Sequence, residues 1–168
     1  MAALSQSELI ASLQHEVRIL LHLSGKVDRA QLDYRPTPGQ RSTLELLQFL
    51  SFMGPGYLEV ALSGKFDPPA WTVLERTAEA RDFDQAVTAI SAHADIYASR
   101  LSSLTDADFR AEIAPFGHPS SRGSFIVNQV LCACAAYRTQ LFLYLKACGR
   151  HELSTINLWA GQDPKPRK

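Results

Sequence analysis

Apolar side chains recur at helical spacing along four long stretches of the 168-residue chain. The first opens on Ser5-Gln6-Ser7-Glu8, where a serine hydroxyl and a carboxylate three residues on satisfy each other's free backbone donors at a helix start. Leu9, Leu13, Val17, Leu20, Leu21 and Val27 then line one face, with Gly25 near the end and a further short turn predicted over 28–32. Ahead of the second stretch, Tyr34-Arg35-Pro36-Thr37-Pro38-Gly39-Gln40-Arg41 cannot be regular, because two prolines and a glycine interrupt any hydrogen-bonded run. Ser42-Thr43-Leu44-Glu45 repeats the capping pattern, and Leu44, Leu47, Leu50 and Met53 mark the buried stripe. Gly54-Pro55-Gly56 is expected to break or kink this helix, Pro55 being acceptable as the first residue of a continuation.

A loop is predicted over 63–69 and a short helix over 70–80 around Trp71. Asp82 is the expected N-cap of the third helix, whose face carries Phe83, Val87, Ile90, Tyr97, Leu101 and Leu104. Asp106 and Asp108 read as turn residues, and Pro, Gly and Ser make 114–123 a connector. The fourth helix is predicted from near Ser124 to Gly149, with Val127, Leu131, Cys134, Leu141, Leu145 and Cys148 along its stripe. One or two more turns fit 153–159.

No segment alternates as a half-buried strand must, and no repeat of fixed period occurs. Four apolar stripes on four helices are buried most simply in an all-α four-helix bundle. The long connection between the second and third helices leaves room for a crossover and for short extra helices. Residues 1–160 read as one domain, and 161–168, with Pro164 and Pro166, as a disordered tail.

Seventeen basic residues balance seventeen acidic ones, which argues against a nucleic-acid partner or an anionic membrane surface. No apolar run reaches the roughly 20 residues of a membrane span, and the first residues lack the basic and apolar regions of a leader. The cysteines Cys132, Cys134 and Cys148 are odd in number and badly spaced for a zinc or disulfide framework, so free buried thiols in a reducing, cytoplasmic setting are expected.

Two stretches carry a resemblance. One is Leu32-Asp33-Tyr34-Arg35-Pro36-Thr37-Pro38-Gly39-Gln40-Arg41-Ser42 leading into Leu46-Leu47-Gln48-Phe49-Leu50; the other is Tyr137-Arg138-Thr139-Gln140-Leu141-Phe142-Leu143-Tyr144-Leu145-Lys146, followed by Gly149. They resemble the DinB-like family, bacterial four-helix bundles described together with the YfiT and thiol-transferase proteins. The first is similar to the family's aromatic-Arg-Pro loop and capped helix, the second to its His-Arg-Gly-Gln-Leu helix. Many members bind nickel or zinc through three histidines, one on the capped helix and an i, i+4 pair on the other. Carried over position by position, the resemblance places these ligands at Phe49, Ala133 and Tyr137. Phenylalanine and alanine have no donor atom, and a phenol with a pKa near 10 is a poor ligand at neutral pH. His15 and His22 lie two turns apart, too far for one metal, and no histidine pair has i, i+4 spacing.

The resemblance therefore implies a bundle that has lost the metal chemistry, binding no metal or cofactor, with Phe49 and Tyr137 filling the former cleft or leaving a small apolar pocket. Gln48, Cys134, Arg138 and Arg41 are the candidate pocket residues, although Arg138 reads first as the partner of an acidic side chain or helix terminus and Cys134 as a small apolar filler. An alternative is a metal-independent transferase or isomerase linked to glutathione, bacillithiol or mycothiol. A third is a homodimeric interaction protein with Trp71, Trp159 and Phe142 on an apolar patch.

Overall fold

The computed structural model describes residues 4–165. Its long helices are α1 (Gln6–Ser24), α2 (Thr43–Ser63) and α4 (Phe83–Leu101), with a final rod over 122–147. That rod is built of α6 (Arg122–Ile126), a π-helical turn (Val127–Leu131) and α7 (Cys132–Ala147). Shorter elements are α3 (Pro68–Glu79), α5 (Asp106–Arg110), α8 (Thr155–Ala160), a 3-10 turn (Arg29–Gln31) and two antiparallel two-residue strands, Glu112–Ile113 and Ser120–Ser121. Helix α1 packs on α4 and α7, and so does α2, which places α1 and α2 on diagonal corners of the bundle. The crossing therefore falls between α1 and α2; the long α2–α4 connection is instead filled by α3, which folds back on α2.

Local chemistry sets the helix starts. Ser5 with Glu8, Ser42 with Glu45 and Asp82 with Gln85 all form reciprocal capping boxes, as does Thr105 with Asp108. Leu13, Leu20, Leu47, Leu50, Met53, Ile90 and Leu141 are fully buried in one core. Tyr34 and Arg35 pin the α1–α2 loop: the Tyr34 ring meets Tyr144 edge-on at 5.6 Å, and Arg35 donates to Glu45 and to the Gln40 carbonyl.

Helix α2 passes through Gly54-Pro55-Gly56 without a break; of the break or kink expected from the sequence, the break does not occur. Proline lacks the N–H that would bond the carbonyl four residues back, which is that of Ser51. This orphan is met from outside the helix, by His93 Nε2 at 3.1 Å and Arg81 Nη1 at 3.2 Å. A helix interior tolerates proline where its freed carbonyl finds such substitutes.

His93 is 2% exposed, and burial holds its pKa down to about 4, with the Arg81 charge acting in the same direction and the bond to Ser51 opposing. The unfolded chain takes up this proton near pH 6.5 whereas the folded chain does not until about pH 4, so stability falls as pH drops through that window, by about 3 kcal/mol in all. Urea unfolding of His93→Gln, which keeps a donor for Ser51 and does not titrate, is expected to show a shallower loss between pH 7 and pH 4; an unchanged slope would assign the loss to other groups.

Three expectations are corrected around the bundle. Trp71 is half-buried among Phe52, Tyr57 and Phe66, while Phe142 is half-buried against the core and Trp159 alone of the three is open to solvent. Only Cys134 of the cysteines is fully buried; Cys132 is exposed. The segment read as a disordered tail begins docked: Gly161 sits in the left-handed region against Ile19, and Asp163 accepts from Lys26 at 2.7 Å and Asn157 at 3.0 Å. Residues 166–168 lie outside the described residues. No helix among the described residues is long and apolar enough to cross a membrane.

Candidate functional site

Phe49 on α2 and Tyr137 on α7 meet with ring centroids 5.0 Å apart, edge to face. Ala133 lies one turn before Tyr137 on the same helix, half-buried against the core. The Arg41 guanidinium caps this corner, 3.9 Å above the Phe49 ring. Tyr57, two turns on from Phe49, faces the same region: burial raises its phenol pKa, Tyr137 raises it further and Arg41 works against both.

Beside the corner a cleft of about 420 Å³ opens between α2 and α3, lined by Arg41, Glu45, Gln48, Phe49, Phe52, Glu75, Ala78 and Glu79. The Phe49 and Phe52 rings pack at 5.5 Å along its floor. Gln48 ties the two helices together, its Nε2 donating to the carbonyls of Glu79 at 2.9 Å and Arg81 at 2.7 Å. Glu45 is held below its ordinary pKa chiefly by the Ser42 N–H at the cap, with Arg35 adding to the effect. The cleft is thus aromatic beneath and anionic at the rim.

Two of the four pocket residues expected from sequence, Arg41 and Gln48, come together here; Cys134 and Arg138 do not. Both lie one position on from Ala133 and Tyr137, a 100° rotation that turns them from the α2–α3 cleft toward α1 and α4. Arg138, 3% exposed, meets Glu16 of α1 at 3.3 Å, with the Trp159 ring of α8 4.9 Å from its guanidinium. Cys134 is buried beside Tyr97, and burial, reinforced by Glu16, pushes its thiol up to about 12 despite Tyr97 and Arg138. A thiol so placed is not an activated nucleophile.

The residues at this corner do not fit a divalent metal. Phe49 and Ala133 present no donor atom, the Tyr137 ring is packed against Phe49, and no group of three His, Cys, Asp or Glu suited to a metal occurs among the described residues. His15 and His22 serve elsewhere. His15 Nε2 bonds the Trp159 carbonyl at 2.9 Å and His22 Nε2 accepts from Asn157 at 3.0 Å, so both fasten α8 to α1. Glu75 and Glu79 were missed by sequence reasoning because α3 offers no motif; only its return onto α2 brings them to the cleft.

No family model matches the chain, and no curated protein matches it. Among solved structures it is similar to a DinB-like protein, YjoA, from Bacillus subtilis, with a TM-score of 0.67 at 15% identity, over 87% of this chain and 94% of that one. At that identity the likeness establishes the fold: an all-α bundle of the DinB-like type.

Proposed function

We propose that this chain, with the fold of a DinB-like protein, works without a divalent metal, as a small-ligand-binding bundle whose site is the cleft between α2 and α3. The observation that carries the reading is the packing of Phe49 against Tyr137 at 5.0 Å, beneath Arg41, at the corner where the family resemblance places metal ligands. Aromatic rings with a few converging polar groups around a concave space are the usual make-up of a small-molecule site. The thiol-linked alternative fits less well. It needs Arg41, Gln48 and Arg138 to grip carboxylates together, yet Arg138 faces α1 and three glutamates line the cleft.

Protein purified without an affinity tag and equilibrated with nickel or zinc is expected to hold far less than one equivalent by elemental analysis; a stoichiometric ion that survives dialysis would overturn the metal-free reading. Ligand binding is tested separately, by screening small aromatic molecules for shifts of the Phe49, Phe52 and Tyr137 ring resonances. Hits confined to other surfaces would remove the cleft as the site.

A further inference from the structure

Of the three glutamates at the cleft, Glu45 is paired with Arg35, whereas Glu75 and Glu79 enter no ion pair among the described residues. Gln48, 8% exposed, stands in the cleft wall with Nε2 committed to two carbonyls, those of Glu79 at the end of α3 and Arg81 just beyond it. That leaves Oε1, on a residue that lines the cleft, as an acceptor with no hydrogen-bond partner among the described residues. One organic cation already occupies the aromatic floor, the exposed Arg41 guanidinium over Phe49, and it too has no ion-pair partner among the described residues. An aromatic face attracts a cation through its quadrupole, carboxylates concentrate cations in a cleft, and an unused amide oxygen at the cleft wall offers an acceptor to an N–H.

Building on the small-ligand reading of this cleft, we propose that it binds a flat organic cation carrying N–H donors, an aromatic amidinium or guanidinium, which takes the place of Arg41 over Phe49 and donates to Gln48 Oε1 and the Glu75 and Glu79 carboxylates. The protein's own arginine is a placeholder that competes with the ligand and swings into solvent when it arrives.

Three probes of one shape and different charge test this: benzamidinium, benzoate and neutral benzamide, titrated into the whole chain at pH 7 while the Phe49 and Phe52 ring resonances are followed. Benzamidinium is expected to bind at least about tenfold more tightly than the other two, Glu75→Gln with Glu79→Gln to weaken it by about tenfold, and Arg41→Ala to tighten it several-fold. Arg41 and Glu79 are exposed and Glu75 is half-buried, and unchanged thermal melts of the variants show that they fold. Benzoate or benzamide binding as well as benzamidinium overturns the cation proposal and leaves the cleft standing as a ligand site. Weaker binding in Arg41→Ala overturns the placeholder role, and silence from all three probes with hits elsewhere on the protein removes both.

Discussion

Gly54→Ala is expected to destabilise the folded chain by about 3 kcal/mol or more, and Tyr97→Phe in the same chain to restore most of that loss. A methyl group on Gly54 would stand in effect on top of the Tyr97 hydroxyl, and 3.3 Å from the ring carbon that bears it. Both residues are buried at the α2–α4 contact, and a packed interior has no free volume into which a ring can retreat. Removal of the hydroxyl leaves only the 3.3 Å contact, which a shift of a few tenths of an ångström relieves. The hydroxyl itself contributes little, since it lies beside the Cys134 thiol without a well-formed hydrogen bond, so Tyr97→Phe alone is expected to stay within about 1 kcal/mol of the parent. Urea unfolding of the four proteins of this cycle reads the coupling directly; additive losses would show that the two groups do not collide.

The same glycine illustrates what can be read from a sequence. Gly54-Pro55-Gly56 looks like a break because proline and glycine disfavour helix when only neighbours along the chain are counted. The helix persists because His93 and Arg81, 42 and 30 residues away, bond the Ser51 carbonyl, and position 54 is glycine because Tyr97 fills the space a side chain would take. The capping boxes at Ser5 and Ser42 and the N-cap at Asp82 were legible for the opposite reason: donor and acceptor lie three residues apart and need no partner from the rest of the fold. The π turn at Val127–Leu131 has no comparable local signature. At the site, the meeting of Phe49 with Tyr137 followed from matching two motifs, whereas the glutamates of α3 did not, since nothing in 68–79 says which face of α2 it will cover. Neighbouring positions on one helix, Tyr137 and Arg138, face different neighbours in the bundle, and a motif read as a string cannot separate them.

Glu16→Gln is expected to cost about 3 kcal/mol of stability, more than Arg138→Met, although each removes one member of the same pair. The side chains approach to 3.3 Å inside the α1–α7 contact, yet Arg138 Nε and Nη1 and Glu16 Oε2 have no hydrogen-bond partner. Desolvation is therefore poorly compensated, and burial raises the Glu16 pKa in spite of the Arg138 charge. This difference makes the two deletions unequal. Left without arginine, Glu16 can take up a proton and become neutral, whereas a guanidinium left without its carboxylate stays charged in any solution in which the protein folds. The sign of the pH response is set by the same difference. A carboxyl whose folded pKa lies above its unfolded value stabilises the fold most below about pH 4.5, and that contribution fades as pH rises through the folded value. Arg138→Met, which removes the charge holding the folded value down, is thus expected to fall furthest below the parent at neutral pH and to close the gap on acidification. Glu16→Gln has no such group, so its deficit relative to the parent does not close and widens on acidification. Replacing both residues, Glu16→Leu with Arg138→Met, is expected to bring stability near that of the parent, because no buried charge then remains. Unfolding curves at pH 5 and pH 7.5 distinguish these outcomes, and a double variant weaker than Glu16→Gln alone would mean that the pair stabilises the bundle outright.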